Sequence, residues 1–92
     1  MNVLEPRLRA ILLELAAERT GGRTFCPSEA ARRLDPRDWR RHMEDVRAVA
    51  AGLVAEGLLT ATQAGDRVDP VRAHGPIRLA AGSAGSEGRW TA

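Results

Sequence analysis

The sequence predicts an α+β domain, mainly helical, in which three main helices precede a small antiparallel sheet of two or three strands. An amphipathic N-terminal stretch and a helix-opening signal that occurs twice, at residues 26–29 and 35–38, indicate the helices. A segment rich in Leu and Thr, followed by turns that contain Gly and Pro, indicates the sheet. Two helices that meet at a sharp angle, with a hairpin after the third, are typical of a winged helix-turn-helix.

The first helix is predicted from Leu4 to Arg19. Apolar residues recur there every three or four positions, which places them on one face of a helix. Glycines at positions 21 and 22 end the helix. A very short strand over residues 23–25 should follow, with Phe25 directed into the core.

The second helix is predicted to begin at Pro27, because a proline at the first helical position loses no hydrogen bond and Cys26 can cap the helix. It should end near Leu34, since the residue before a proline is disfavoured in helical conformation. We expect it to bury Ala30, Ala31 and Leu34.

The third helical segment lies between Pro36 and Glu56 and carries an apolar face that includes Trp39. It is the candidate recognition helix. The pattern does not decide whether it is continuous from Pro36 or breaks near His42. The register of Trp39 within the apolar face favours a core anchor over a platform for stacking bases.

The sheet is predicted to begin with a strand from Leu58 to Gln63, followed by a turn at residues 64–66. The chain should return through Val68 or through residues 77–79, which would form the wing. We therefore expect a winged-helix-like domain over residues 1–79. Residues 80–92 contain too few apolar side chains to offset the entropy of ordering, and we expect a flexible tail with an exposed Trp90.

Composition limits the classes of function. The 92 residues fit one domain, and the 14 basic residues, all arginine, against 12 acidic ones give a formal net charge of +2. Arginine suits phosphate and guanine edges, but so small a net charge restricts any nucleic-acid site to a local patch. A single cysteine excludes an internal disulfide, and no apolar run is long enough to span a membrane, so the sequence predicts a cytoplasmic protein.

Several short motifs occur in a fixed order between Gly22 and Leu79. They are residues 23–32 (RTFCPSEAAR), 38–39 (DW), 46–47 (VR), 62–63 (TQ), 68–70 (VDP) and 75–79 (GPIRL). In these motifs the chain resembles a bacterial family of short winged-helix-like proteins of unknown function. The resemblance implies the fold and a bacterial cytoplasmic setting, and it supplies no activity or catalytic residue.

The arginines around the helix-turn-helix and the wing suggest contact with double-stranded DNA, in a small DNA-binding or transcription-associated module. The candidate contacts are Arg32, Arg33, Arg37, Arg40, Arg41, Arg47, Arg67, Arg72 and Arg78. Alternatively these arginines form a solvated face neutralised by Asp38, Glu44 and Asp45, since acids at that helix start would repel phosphate.

A strip of small residues on the third helix suggests the other class of function, a protein-interaction adaptor or a homodimerisation module. The strip consists of Ala48, Ala51, Gly52 and Ala55. Such a smooth surface lets another backbone approach closely, although the strip could equally pack against the first helix.

No residue set in the sequence indicates catalysis. His42 lies toward the apolar face of its helix, His74 lies in a loop, and neither has metal-ligand spacing to Cys26. Cys26 is interpreted as a half-buried residue at a helix start, and no nucleophile is paired with a base. The sequence therefore predicts a protein that is not an enzyme and has no metal and no cofactor.

Overall fold

The computed structural model describes residues 4–19 and 21–82. In it, three α-helices come first along the chain and three short strands follow them. The helices are α1 (Glu5–Glu18), α2 (Pro27–Leu34) and α3 (Met43–Ala55), with a short 3-10 helix (Trp39–His42) before α3, and the strands are β1 (Leu59–Gln63), β2 (Asp66–Arg67) and β3 (Arg78–Ala81). This arrangement confirms the predicted α+β, winged-helix-like fold.

The core lies between α1, the other two helices and the inner face of the sheet. Leu8, Leu12 and Leu15 recur along one face of α1 and are fully buried. Small residues opposite them, Ala30 and Ala31 of α2, let the helices approach closely. Further large buried side chains come from α3, the sheet and the segments before α2 and β3: Val46, Leu53, Leu59, Leu79, Phe25 and Ile77.

Helix α2 begins where the sequence predicts. The Glu29 side chain folds back so that its Oε2 accepts a hydrogen bond from the Cys26 N–H at 3.1 Å, which satisfies a donor at the start of the helix. Arg19 holds the other oxygen of Glu29 at 2.6 Å and lowers the pKa of that carboxyl group. The expectation that Leu34 is buried is wrong: it is half-buried at the edge of the core, in the last turn of the helix.

The second helix-opening signal does not open an α-helix. Oδ1 of Asp35 accepts hydrogen bonds from the N–H groups of Arg37, at 3.3 Å, and Asp38, at 3.0 Å, which bends residues 36–38 into a turn. The 3-10 helix follows, and α3 begins only at Met43. The segment from Pro36 to Glu56 is therefore broken near His42, one of the two alternatives that the sequence left open.

The sheet is antiparallel, with strand order β2-β1-β3. Both routes predicted for the returning chain are used, because β2 and β3 pair with opposite edges of β1. Ala64 and Gly65, with φ of 53° and 88°, form the two-residue turn between β1 and β2, a conformation that matches the twist of a hairpin.

The short strand expected before α2 is a single bridge. Phe25 exchanges two backbone hydrogen bonds with Leu79, of 2.7 and 2.8 Å, and is fully buried. Strand β3 continues to Ala81, two residues beyond the predicted end of the domain. The rest of the predicted tail, residues 83–92 with Trp90, lies outside the described residues.

Candidate nucleic-acid interface

The nine predicted contact arginines have three different environments. The first group is exposed and has no carboxylate partner among the described residues, the second is exposed and paired with an acid, and the third is bound to the chain's own carbonyl or hydroxyl groups. In that order, the groups are Arg32, Arg37, Arg40 and Arg67; Arg33, Arg41 and Arg72; and Arg47 and Arg78.

Two arginines of the first group share one aromatic ring. The guanidinium carbons of Arg32, on α2, and Arg40, on the 3-10 helix, each lie 4.4 Å from the centroid of the Trp39 ring. A guanidinium that lies over a ring is held by the ring's negative face, while its N–H groups remain available at its edges. Trp39 thus keeps two positive charges close together without consuming their hydrogen-bond donors.

This use of Trp39 differs from the sequence prediction. Trp39 packs against the core, but it is only half-buried. Because α2 and the 3-10 helix meet at this corner, the part of the indole that faces outward is available to Arg32 and Arg40. The sequence prediction placed the Trp39 ring in the core and did not include its contact with the two arginines.

Residues 32–41 concentrate positive charge, and we call them the basic corner. They contain five arginines and two aspartates, an excess of three positive charges in a chain whose net charge is +2. The remainder of the chain is therefore slightly acidic. This local excess makes the corner the candidate site for an anion.

A hydrogen bond between a buried histidine and a half-buried aspartate holds the corner in shape. His42 is 7% exposed, and its Nε2 lies 3.1 Å from Oδ2 of Asp35. The N–H of Asp38, the His42 ring and the N–H of Arg37 all hydrogen-bond the Asp35 carboxylate and lower its pKa. His42 is thus buried and hydrogen-bonded, and His74 is exposed. An aspartate three residues before a second aspartate was the available signal for this turn.

The paired arginines of the second group stay at the surface. Arg33 lies 3.1 Å from Glu18 and lowers the pKa of that carboxyl group, and Arg41 lies 3.1 Å from Asp38, with both side chains about two-thirds exposed. Surface ion pairs of this kind contribute roughly 0 to 1 kcal/mol. A phosphate could therefore compete for either arginine at small cost.

Arg47 and Arg78 donate hydrogen bonds to carbonyl and hydroxyl groups of the chain itself. Arg47 is half-buried and donates to the carbonyl oxygens of Pro70, Ala73 and Gly75, at 3.3, 2.9 and 2.6 Å. Arg78 donates to the hydroxyl and the carbonyl of Thr24, at 2.9 and 3.2 Å. Both acceptor sets come from segments distant in sequence, so the folded chain already uses these donors.

The outward face of α3 carries few groups that could recognise bases. Glu44 is exposed in its first turn, and Ala48, Gly52 and Ala55 are exposed along the rest of the helix, while Ala51 is half-buried. The small-residue strip is thus mostly uncovered, and α1 does not occupy it. Because alanine and glycine side chains offer no hydrogen bonds to base edges, α3 is poorly suited to read a sequence.

Three further features complete the description. Cys26 is half-buried and accepts a hydrogen bond from the Ser28 hydroxyl at 3.1 Å. Across residues 4–19 and 21–82, no three potential metal ligands of the His, Cys, Asp and Glu types come together. Within those same ranges, none of the helices combines the length and the apolar character needed to cross a membrane.

Comparison with protein families gives a match over most of the chain. The model of a family described as "Protein of unknown function (DUF3253)" matches residues 5–82, which cover α1 through β3 and Gly82. No curated protein matches the chain.

Proposed function

The chain belongs to the DUF3253 family of proteins of unknown function, and we propose that it is a DNA-binding, transcription-associated module rather than an enzyme. In this proposal the basic corner contacts the phosphate backbone of a duplex. The proposal includes the bacterial cytoplasmic setting that the sequence motifs imply.

The pair Arg32 and Arg40 carries the proposal. Both guanidinium groups lie over Trp39, both are exposed, and neither has a carboxylate partner among the described residues. Two guanidinium groups held near each other suit adjacent phosphates, because each can bind phosphate oxygens through two N–H groups. Arg37 adds a third exposed charge in the turn between them.

The position of the corner fits a backbone contact. In helix-turn-helix proteins the first helix of the motif crosses the phosphate backbone, while the second enters the major groove. Here the charge belongs to α2 and the 3-10 helix, whereas α3 presents Glu44 and small residues. We therefore propose binding with little discrimination among base sequences.

The first experiment is a salt titration. Fluorescence anisotropy of a labelled duplex of random sequence is measured against protein concentration from about 50 to 200 mM salt. Three phosphate contacts predict that affinity falls roughly 40-fold over this range. Arg32→Gln with Arg40→Gln should weaken binding at low salt and reduce the salt slope by about 2.

A matched control removes the same charge elsewhere. Arg7 in α1 and Arg23 before α2 are both exposed and lie outside the corner. Arg7→Gln with Arg23→Gln should change binding much less than the corner variant. Equal losses in the two double variants would show that only net charge matters, and the assignment to the corner would then be wrong.

Exposure of the small-residue strip favours a second candidate function, self-association through α3. A Cβ placed on Gly52 would meet no atom within 4 Å, so the surface there is open. A second copy of the chain could bring its own α3 close to this strip. Sedimentation equilibrium should then show a dimer that Gly52→Arg converts to a monomer; a wild-type monomer at all concentrations would exclude this function.

A further inference from the structure

The segment between β2 and β3 directs its carbonyl groups toward two side chains. Beyond the three carbonyls bound by Arg47, Nε2 of Gln63 donates to the carbonyls of His74, at 2.6 Å, and Pro76, at 3.1 Å. Five carbonyls of the segment are thus held by one residue of α3 and one of β1. We call residues 68–77 the wing loop.

The tip of the wing loop is also held from within. Oδ1 of Asp69 accepts a hydrogen bond from the Val71 N–H at 2.8 Å, and the Asp69 carbonyl accepts one from the Ala73 N–H at 2.9 Å. Pro70 is buried beneath this turn. The turn leaves Val71 59% exposed and the Arg72 side chain 88% exposed.

An irregular loop of this length loses much conformational entropy when it becomes ordered. Arg47 can offset that cost because its planar fork presents donors in several fixed directions, and it reaches carbonyls at positions 70, 73 and 75 together. A lysine has one compact ammonium group and cannot span the same acceptors. The hydrogen bonds of Arg47 therefore depend on its shape as well as its charge.

We propose that Arg47, assisted by Gln63, is a positioning residue that fixes the wing loop against α3 and so sets where the loop carries Arg72. For the part that concerns DNA, this inference rests on the proposed function. It replaces the phosphate contact predicted for Arg47 with an indirect role: the residue acts through the loop.

Limited proteolysis tests the loop directly and needs no DNA. Trypsin cleaves after arginine, and Arg72 is the most exposed arginine of the loop tip. Cleavage there requires local opening, so its rate follows the opened population. Arg47→Gln and Arg47→Lys should each raise the rate of cleavage after Arg72 about tenfold, as expected for the loss of one or two hydrogen bonds.

Further variants separate local opening from unfolding. Gln63→Ala leaves α3 intact and should also accelerate cleavage after Arg72, whereas Arg37→Gln removes an exposed charge and should not. Cleavage after Arg9 in α1 reports global unfolding and should stay slow in every variant. If trypsin cleaves both Arg47→Lys and Gln63→Ala after Arg72 at the wild-type rate, the inference is wrong.

The duplex titration then distinguishes positioning from direct contact. If Arg47 bound phosphate itself, Arg47→Lys would retain most of the affinity because the charge remains. Positioning predicts that Arg47→Lys loses affinity to the same extent as Arg47→Gln. If the wild-type protein binds no duplex, the proposed function fails and the role of Arg47 in DNA binding fails with it, while its hold on the loop is judged by the proteolysis.

Discussion

The role of each arginine in this chain depends on which acceptors and rings lie within reach of its guanidinium group. Arg40 lies over Trp39 and keeps its donors free, whereas Arg47, seven residues later, donates hydrogen bonds to three loop carbonyls. The partners of Arg47 lie more than 20 residues away along the chain. Spacing along one helix could therefore identify both residues as candidates but could not separate their roles.

Asp35 is the residue whose ionisation the fold of the corner most depends on. Its pKa is lowered in the folded protein, chiefly by the Asp38 N–H and then by His42 and the Arg37 N–H. A lowered pKa stabilises the fold above the pKa of the unfolded chain, and that contribution is lost as the pH falls through the folded pKa. Asp35→Asn should therefore lower the urea midpoint at pH 7, and the difference from wild type should shrink below about pH 4.

Asp38→Asn is the control for this prediction. Among the residues that the structure describes, its carboxylate pairs only with exposed Arg41, so its substitution should change the midpoint little at any pH. An Asp35→Asn difference that stays constant from pH 7 to pH 3 would contradict the assigned role of the Asp35 carboxylate.

At the scale of elements, two similar sequence signals produce different structures. Residues 26–29 open α2 because the Glu29 side chain returns to the Cys26 N–H. In residues 35–38 the side chain of the first aspartate, Asp35, accepts hydrogen bonds from the N–H groups of Arg37 and Asp38, and the chain bends before the 3-10 helix. The sequence predicted a helix start at both places, because both segments contain a proline followed by an acidic residue. The two structures differ in which side chain binds the backbone.

Two glycines provide a matched test of the packing of elements. Gly52 is in the last turn of α3 and faces open space, so Gly52→Ala should stabilise the protein by about 0.5 to 1 kcal/mol through helix propensity. Gly82 follows β3, where a Cβ would collide with the backbone of Gly57 and Leu59. Gly82→Ala should destabilise the protein by about 2 kcal/mol, because backbone must move to make room.

Urea unfolding followed by circular dichroism measures both changes. Opposite signs for the two substitutions are the expected result. A neutral Gly82→Ala would mean that the chain after β3 does not pack against the start of β1 as described.

For the whole molecule, hydrophobic spacing together with helix-opening and turn residues predicted the fold class, the bounds of α1 and α2 and the burial of Phe25. These features depend on local periodicity and on turn residues that act within a few positions. The basic corner was predicted as a set of arginines, but its centre at Trp39 depends on α2 and the 3-10 helix meeting at one angle. The wing loop was predicted only as irregular chain, since its order comes from α3 and β1.

The charge is also distributed unevenly along the chain, which the net charge alone does not show. An excess of three positive charges in residues 32–41 leaves the rest of the chain slightly acidic. A polyanion should therefore approach one side of the molecule, and binding should weaken with salt in proportion to the few charges at that side.

The most direct test of the central claim is an NMR titration of the arginine side chains with a short duplex at low salt. The ¹⁵Nε–Hε signals report on each guanidinium group separately. We expect the signals of Arg32, Arg37 and Arg40 to shift on addition of DNA, while those of Arg7 and Arg23 stay near their original positions. Unchanged corner signals, or shifts of the Arg7 and Arg23 signals as large as those of the corner, would contradict the account.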